Sequence, residues 1–229
     1  MTLLTTVDAN NTNFDIYQGE HYMYKFNAVL SHIPNNITLL HIFCKQGSPV
    51  NAQNVETVSF SAALNNYYSF VTTGINNNLH NIIFEDNENV QYMQYFSYTF
   101  TDDTPLNLKI GQYVSDIRYG SWYKNNDTSV KLNIDFSKAD NLKNIQYSGI
   151  TFSNINDKVY INMPILPPKL ENCNYGVFCG YSTELPLVLS NDLVFPNTIK
   201  EISYSSFNGI DFNNHTLTIP PTAEVSIYS

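Results

Sequence analysis

Few residues in this chain have types and spacings that could do chemistry. The five histidines, at 21, 32, 41, 80 and 215, are scattered with no spacing that would gather them on a metal. His21 and His41 could share facing strands, where a structural histidine is the ordinary outcome. Carboxylates cluster at Glu85-Asp86-Asn87-Glu88 and at Asp102-Asp103. Both clusters fall where turns are expected and read as solvated loops, with oxygen ligation of Ca²⁺ as the alternative chemistry. Glycoside cleavage needs two carboxyls at a set separation across a cleft, and no spacing here defines such a pair. No nucleophile elbow, phosphate-binding loop, dinucleotide fingerprint or zinc-protease helix motif is present. The three cysteines are Cys44, Cys173 and Cys179. An odd, sparse set is not a disulfide framework. The residues left with a functional reading are aromatic: Tyr119, Trp122 and Tyr123 in one cluster, and Tyr147, Tyr175 and Tyr204 further on. Such rings stack on sugars or anchor interfaces, or they simply pack. The expectation is a non-enzymatic protein with no cofactor and no metal.

Composition narrows the partners. The 229 residues carry a net charge of −9, with charged residues at only 14%. Nucleic acid and anionic membranes are therefore disfavoured partners. Tyr (17) and Phe (14), with abundant Asn, suit strands joined by tight turns. The N-terminus MTLLTTVDANNTNFD has neither a basic region nor a long apolar run, so neither a signal peptide nor a membrane span is expected.

A four-position pattern recurs in the second half. It reads Leu142, Ile145, Tyr147, Ile150, then Leu170, Cys173, Tyr175, Phe178, then Ile199, Ile202, Tyr204, Phe207. The segment LPPKLENCNYGVFCG lies over FPNTIKEISYSSFNG without a gap, and IPPTAEVSIYS starts a further copy. Each unit offers a strand and a short curved segment whose apolar side chains cannot be buried alone. Stacked units bury one continuous core. These motifs resemble the BspA-like class of leucine-rich repeats over about 138–229. The resemblance implies a right-handed solenoid that binds proteins or glycans. The tyrosines 147, 175 and 204 then form either a core row or an exposed ladder.

Before residue 137 the texture is also β. Strands are expected at His21–Leu30, Ile37–Lys45, Val55–Ser61, Tyr67–Thr73, Asn81–Glu85 and Val90–Phe100. Short strands between turn-like breaks suggest an antiparallel, Ig-like β-sandwich. The stretches FDIYQGE (14–20) and DDTPLNLKIGQYVSDI (102–117) resemble the N-terminal β-sandwich of tailed-phage baseplate upper proteins and fibre-attachment domains. Tyr119–Tyr123 and Val130–Phe136 would supply its last hairpin. Val114, Ile117, Tyr119 and Trp122 also fit the repeat pattern, 28 residues before the next copy. The sandwich assignment is adopted for them.

The resulting expectation is a mainly β chain, with a sandwich attachment domain at 1–136 and a leucine-rich-repeat-like solenoid at 137–229. The resemblances imply a structural or attachment protein of a phage virion, assembled in host cytoplasm. Its partners would be other virion proteins, a host-surface glycan or protein, and copies of itself. A cellular surface adhesin and a carbohydrate-binding or depolymerising tail protein are the alternatives.

Overall fold

The computed structural model describes residues 3–9, 12–17, 21–24, 39–42, 56–60, 79–88, 90–94, 97–100, 103–119, 121–124, 129–146, 151–153, 158–174, 187–203, 206–207 and 210–226. For the strands before residue 43, and for 97–100, 121–124 and 151–153, the description is of the backbone alone. Among the described residues every regular element is a strand.

The strands stack as coils. An 11-stranded sheet runs along one side of the described chain. Its first pairings, Leu3–Ala9 with Thr12–Tyr17 and Thr12–Tyr17 with His21–Tyr24, are antiparallel. From there onward each neighbour is parallel: Leu39–Ile42, Thr57–Phe60, Asn81–Phe84, Leu106–Ile110, Val130–Asp135, Val159–Asn162, Leu187–Leu189 and Ile210–Asp211. A second, 6-stranded parallel sheet takes one short strand from each coil: Tyr92–Gln94, Asp116–Arg118, Asn144–Gln146, Asn172–Asn174, Glu201–Ser203 and Glu224–Ser226. A third parallel sheet joins Ser97–Phe100, Ser121–Lys124 and Thr151–Ser153. Equivalent positions in successive coils are thus laid side by side, about 4.8 Å apart as strands in any sheet are.

The interior of the coils is dry. On the long sheet the strand Val130–Asp135 alternates buried and more exposed residues, Val130, Leu132 and Ile134 pointing inward. On the second sheet Met93, Ile117, Ile145, Cys173 and Ile202 are each at most 3% exposed and stand in one row. The corner before that strand repeats as well. The amides of Leu142, Leu170, Ile199 and Ala223 donate to the carbonyls of Ala139, Pro167, Pro196 and Pro220, at 3.1–3.2 Å. Pro168 and Pro221 occupy the second position of their turns, where a fixed φ near −65° suits the geometry. Val114 closes the same turn on Gly111 at 3.3 Å, and Val90 on Asn87 at 2.8 Å. Burying one such Leu or Ile side chain contributes about 1.5–3 kcal/mol, and each needs the neighbouring coil to complete its pocket.

Polar side chains run outside in ladders of their own. Asn107 donates its Nδ2 to Asn81 Oδ1 at 3.1 Å, Asn133 to Asn107 at 2.9 Å and Asn162 to Asn133 at 3.2 Å. Asn81 in turn donates to Thr57 Oγ1 at 3.3 Å. The rungs are separated by 24 to 29 residues. Because each amide bonds only to the same position one coil away, a slip of register breaks the ladder along its whole length.

The register read from the sequence between 142 and 202 is present: Ile145 pairs with Cys173, and Cys173 with Ile202. The antiparallel sandwich expected over 1–136 is not. Strands Asn81–Phe84 and Leu106–Ile110 are parallel neighbours, and Leu106–Ile110 is parallel to Val130–Asp135. Ile117 pairs with Ile145, so Val114 and Ile117 belong to the stack and not to a closing hairpin. Val130–Asp135 in turn pairs in parallel with Val159–Asn162. The physical reason for the misreading is that apolar alternation has a period of two in either kind of sheet. It locates strands without giving their direction. Strands are found at the expected places near 21, 39, 57, 81 and 92, with Tyr92–Gln94 and Ser97–Phe100 both inside the last expected span. The one expected at Tyr67–Thr73 lies outside the described residues.

Gly111 illustrates how closely the coils approach. A Cβ placed there would sit within 3.0 Å of the carbonyl oxygens of Phe84 and Glu85 on the preceding coil. These are backbone atoms, which cannot swing aside. Gly111→Ala is therefore expected to lower stability by about 1–3 kcal/mol, the usual cost of overpacking. A urea midpoint equal to that of the parent chain would contradict this contact.

Candidate functional site

Of the aromatic residues singled out by sequence, the structure describes Tyr119 in full and Trp122 and Tyr123 by their backbone. Tyr119 follows the strand Asp116–Arg118, is 42% exposed and has φ = 54°. Positive φ in a bulky residue marks a forced bend. Trp122 and Tyr123 lie in the strand Ser121–Lys124, where Trp122 is level with Tyr98 and Phe152. An aromatic residue thus occupies one row in three successive coils. Tyr147, Tyr175 and Tyr204 fall outside the described residues, as do Phe178 and Cys179. The positions immediately before those tyrosines, Gln146, Asn174 and Ser203, are in register. Phe207 is half-buried against the core, edge-on to Phe195 at 6.0 Å and tilted to Phe212 at 6.2 Å. Cys173 is a free thiol inside the core, and burial pushes its pKa up, which makes it inert. Among the described residues no group of three or more His, Cys, Asp or Glu could hold a metal ion.

The polar chemistry gathers instead around the second sheet. On its outer side Asn144 donates to Asp116 Oδ1 at 2.9 Å, and Asn172 to Asn144 Oδ1 at 2.7 Å. Asp116 is only 7% exposed. It also accepts from Ser115 Oγ at 2.7 Å and from Arg118 Nη2 at 2.6 Å, so its charge is both paired and hydrogen-bonded. The neighbouring row contains Arg118, Gln146 and Asn174, and Asn174 donates to Glu201 Oε2 at 3.1 Å. Arg118 Nε and Asn174 Oδ1 are buried without a hydrogen-bond partner.

At the corner leading into these strands, a charged column alternates in sign. The backbone ladder places Lys143, Glu171 and Lys200 one coil apart, each amide donating to the carbonyl before it. Glu171 pairs with Lys143 at 3.5 Å on one side and with Lys200 on the other. Beside the column lies a hollow of about 310 Å³, open to solvent and lined by Glu171, Asn197, Thr198, Ile199, Lys200 and Thr222. Thr198 Oγ1 donates toward the carbonyls of Pro168 and Leu170, 3.0 and 2.9 Å away, and the residue is itself exposed. Of these residues sequence reasoning marked only Ile199, as a position of the repeat. They come from three coils and are brought together only by the stacking.

The hydrogen bond from Lys200, reinforced by both lysine charges, holds the Glu171 carboxyl below its ordinary value of 4.5. Asp192, which accepts from the Thr216 amide, and Asp135, which accepts from Ser137, are held below 3.8. A carboxylate lowered in the folded state stabilises the fold above its unfolded pKa, and that contribution is lost as pH falls through the folded value. The melting temperature is therefore expected to drop as pH goes from about 5 to about 3. Glu171→Gln should shrink that drop. Equal melting temperatures at both ends would contradict these pairings.

Fold and site define a class: a parallel β-solenoid of stacked repeats with side-chain ladders on its outer faces. Comparison with protein-family models, with curated proteins and with solved structures returns no match.

Proposed function

We propose that this protein is a non-enzymatic binding scaffold that holds other molecules against the outer surface of its coils, on the side of the second sheet. One observation carries the reading. Polar side chains there stand in fixed rows at the repeat of the strands, and their charges are already neutralised by one another: Asp116 by Arg118, and Glu171 by Lys143 and Lys200. A surface so arranged is preorganised for many weak polar contacts, and preorganisation lowers the entropic cost of binding. Catalysis favours the opposite, a titratable group whose pKa is moved toward neutrality. The described carboxylates with shifted values are all moved away from it.

The repeat pattern with Pro-rich corners favours kinship with BspA-like leucine-rich repeats, whose members bind proteins or glycans. The narrower reading, a virion attachment protein, drew on a resemblance to a sandwich over 12–136. Strands 39–110 are parallel on the long sheet, so that ground is gone and the broader reading is preferred. The test is a panel of immobilised glycans and soluble polysaccharides, read for retention and for release of reducing ends. Retention without release is expected. Release of reducing ends would overturn the non-enzymatic reading.

A further inference from the structure

We infer that the corner cavity between Glu171 and Thr222 is a subsite for one neutral sugar ring, an inference that rests on the binding-scaffold reading. At about 310 Å³ the hollow is open to solvent and stands at the small end of ligand sites, with room for one face of a single ring to rest on it. Its lining suits hydroxyl groups, each of which both donates and accepts. Lys200 Nζ uses one N–H on Glu171 and has two left to donate. Thr198 has committed its proton to the carbonyls of Pro168 and Leu170, so toward a ligand it can only accept. Glu171 accepts from both lysines and keeps further lone pairs. Asn197 and Thr222, both exposed, each offer a donor and an acceptor. Ile199 supplies the apolar lining.

Charge decides between ligand classes. Glu171 and Lys200 are the two charged residues lining the hollow, and Lys143 holds Glu171 from the other side, so the carboxylate is already paired twice. A carboxylated sugar would meet the Glu171 carboxylate, in a chain of net charge −9. A cationic ligand would have to displace lysines from Glu171. A neutral polyol satisfies the donors and acceptors without breaking the column. The stacking also prepares the site: ladders fix the backbone at Lys143, Glu171 and Lys200, and Glu171 ties both lysine side chains to itself.

The experiment is an NMR titration of the full chain with the methyl glycosides of glucose, galactose, mannose and N-acetylglucosamine, with glucuronate alongside. At least one neutral glycoside is expected to bind with Kd in the millimolar range, and glucuronate more weakly. Lys200→Gln and Thr222→Val should each weaken binding about tenfold, as the loss of one hydrogen bond does. Asn133→Ala, on the other sheet, should leave binding unchanged. Unaltered affinity in both cavity variants would remove the subsite while leaving a glycan-retaining scaffold intact. Preference for glucuronate, or binding of none of the glycosides, would overturn the ligand class. Neither result bears on whether the scaffold is an enzyme, which the reducing-end assay decides.

Discussion

Ile145→Asp leaves the chain unfolded at room temperature. Ile145 is completely buried, between Ile117 on one coil and Cys173 on the next, both also at 0% exposure. A carboxylate placed there has no cation in its row and no donor to meet it. An isolated buried charge costs several kcal/mol even after its pKa rises to neutralise it. The lost isoleucine burial adds roughly 2–3 kcal/mol. Together these approach the whole stability of an ordinary domain, about 5–15 kcal/mol. Circular dichroism would show the strand signal lost at 25 °C. A folded variant with a melting temperature near that of the parent would mean that Ile145 does not face a closed interior.

The second large effect falls in the half of the chain assigned by sequence to a sandwich. Phe84 is fully buried and stacks on Phe60, with ring centroids 4.9 Å apart and planes 18° from parallel. The two residues are direct partners on adjacent parallel strands, and Ile110 continues the row. Phe84→Ala opens a cavity beneath two coils at once. The expected loss is about 3–5 kcal/mol, as for other buried aromatic truncations. Phe60→Ala in the same background should cost less than it does alone, because the partner ring is already gone. Strictly additive losses in urea unfolding would show that the rings do not share one stack.

What could be read from the sequence followed from how strongly each coil is punctuated. Pro167 and Pro196 open their corners and Leu170, Cys173, Ile199 and Ile202 repeat at a constant offset, so the register of those coils was legible before any coordinates. Ile117 stands at nearly the same offset from Ile145 but sits beside a stretch that resembles another fold, and the local likeness outweighs the periodicity. Earlier coils lack the prolines and shorten, Thr57 and Asn81 being 24 residues apart. With neither landmark nor constant length, only period-two alternation remained, and that is silent about strand direction. The asparagine ladder was hidden for a different reason. In a chain this rich in Asn, the four residues 81, 107, 133 and 162 do not stand out, and their shared role exists only once the coils are laid together. The cavity at Glu171 was hidden likewise, because no single coil contains it. Of the aromatic candidates, Tyr119 is exposed and Trp122 sits in an aromatic row, yet neither lines the cavity.

Methyl-to-methyl nuclear Overhauser contacts test the stacking most directly, since they report which side chains are neighbours across coils. Cross-peaks are expected between Ile82 and Leu108, between Leu108 and Ile134, between Leu132 and Ile161, and between Ile117 and Ile145, each pair one coil apart. A spectrum lacking the Leu132–Ile161 and Ile117–Ile145 peaks, with Leu108 instead meeting residues of an antiparallel partner, would contradict the stacking.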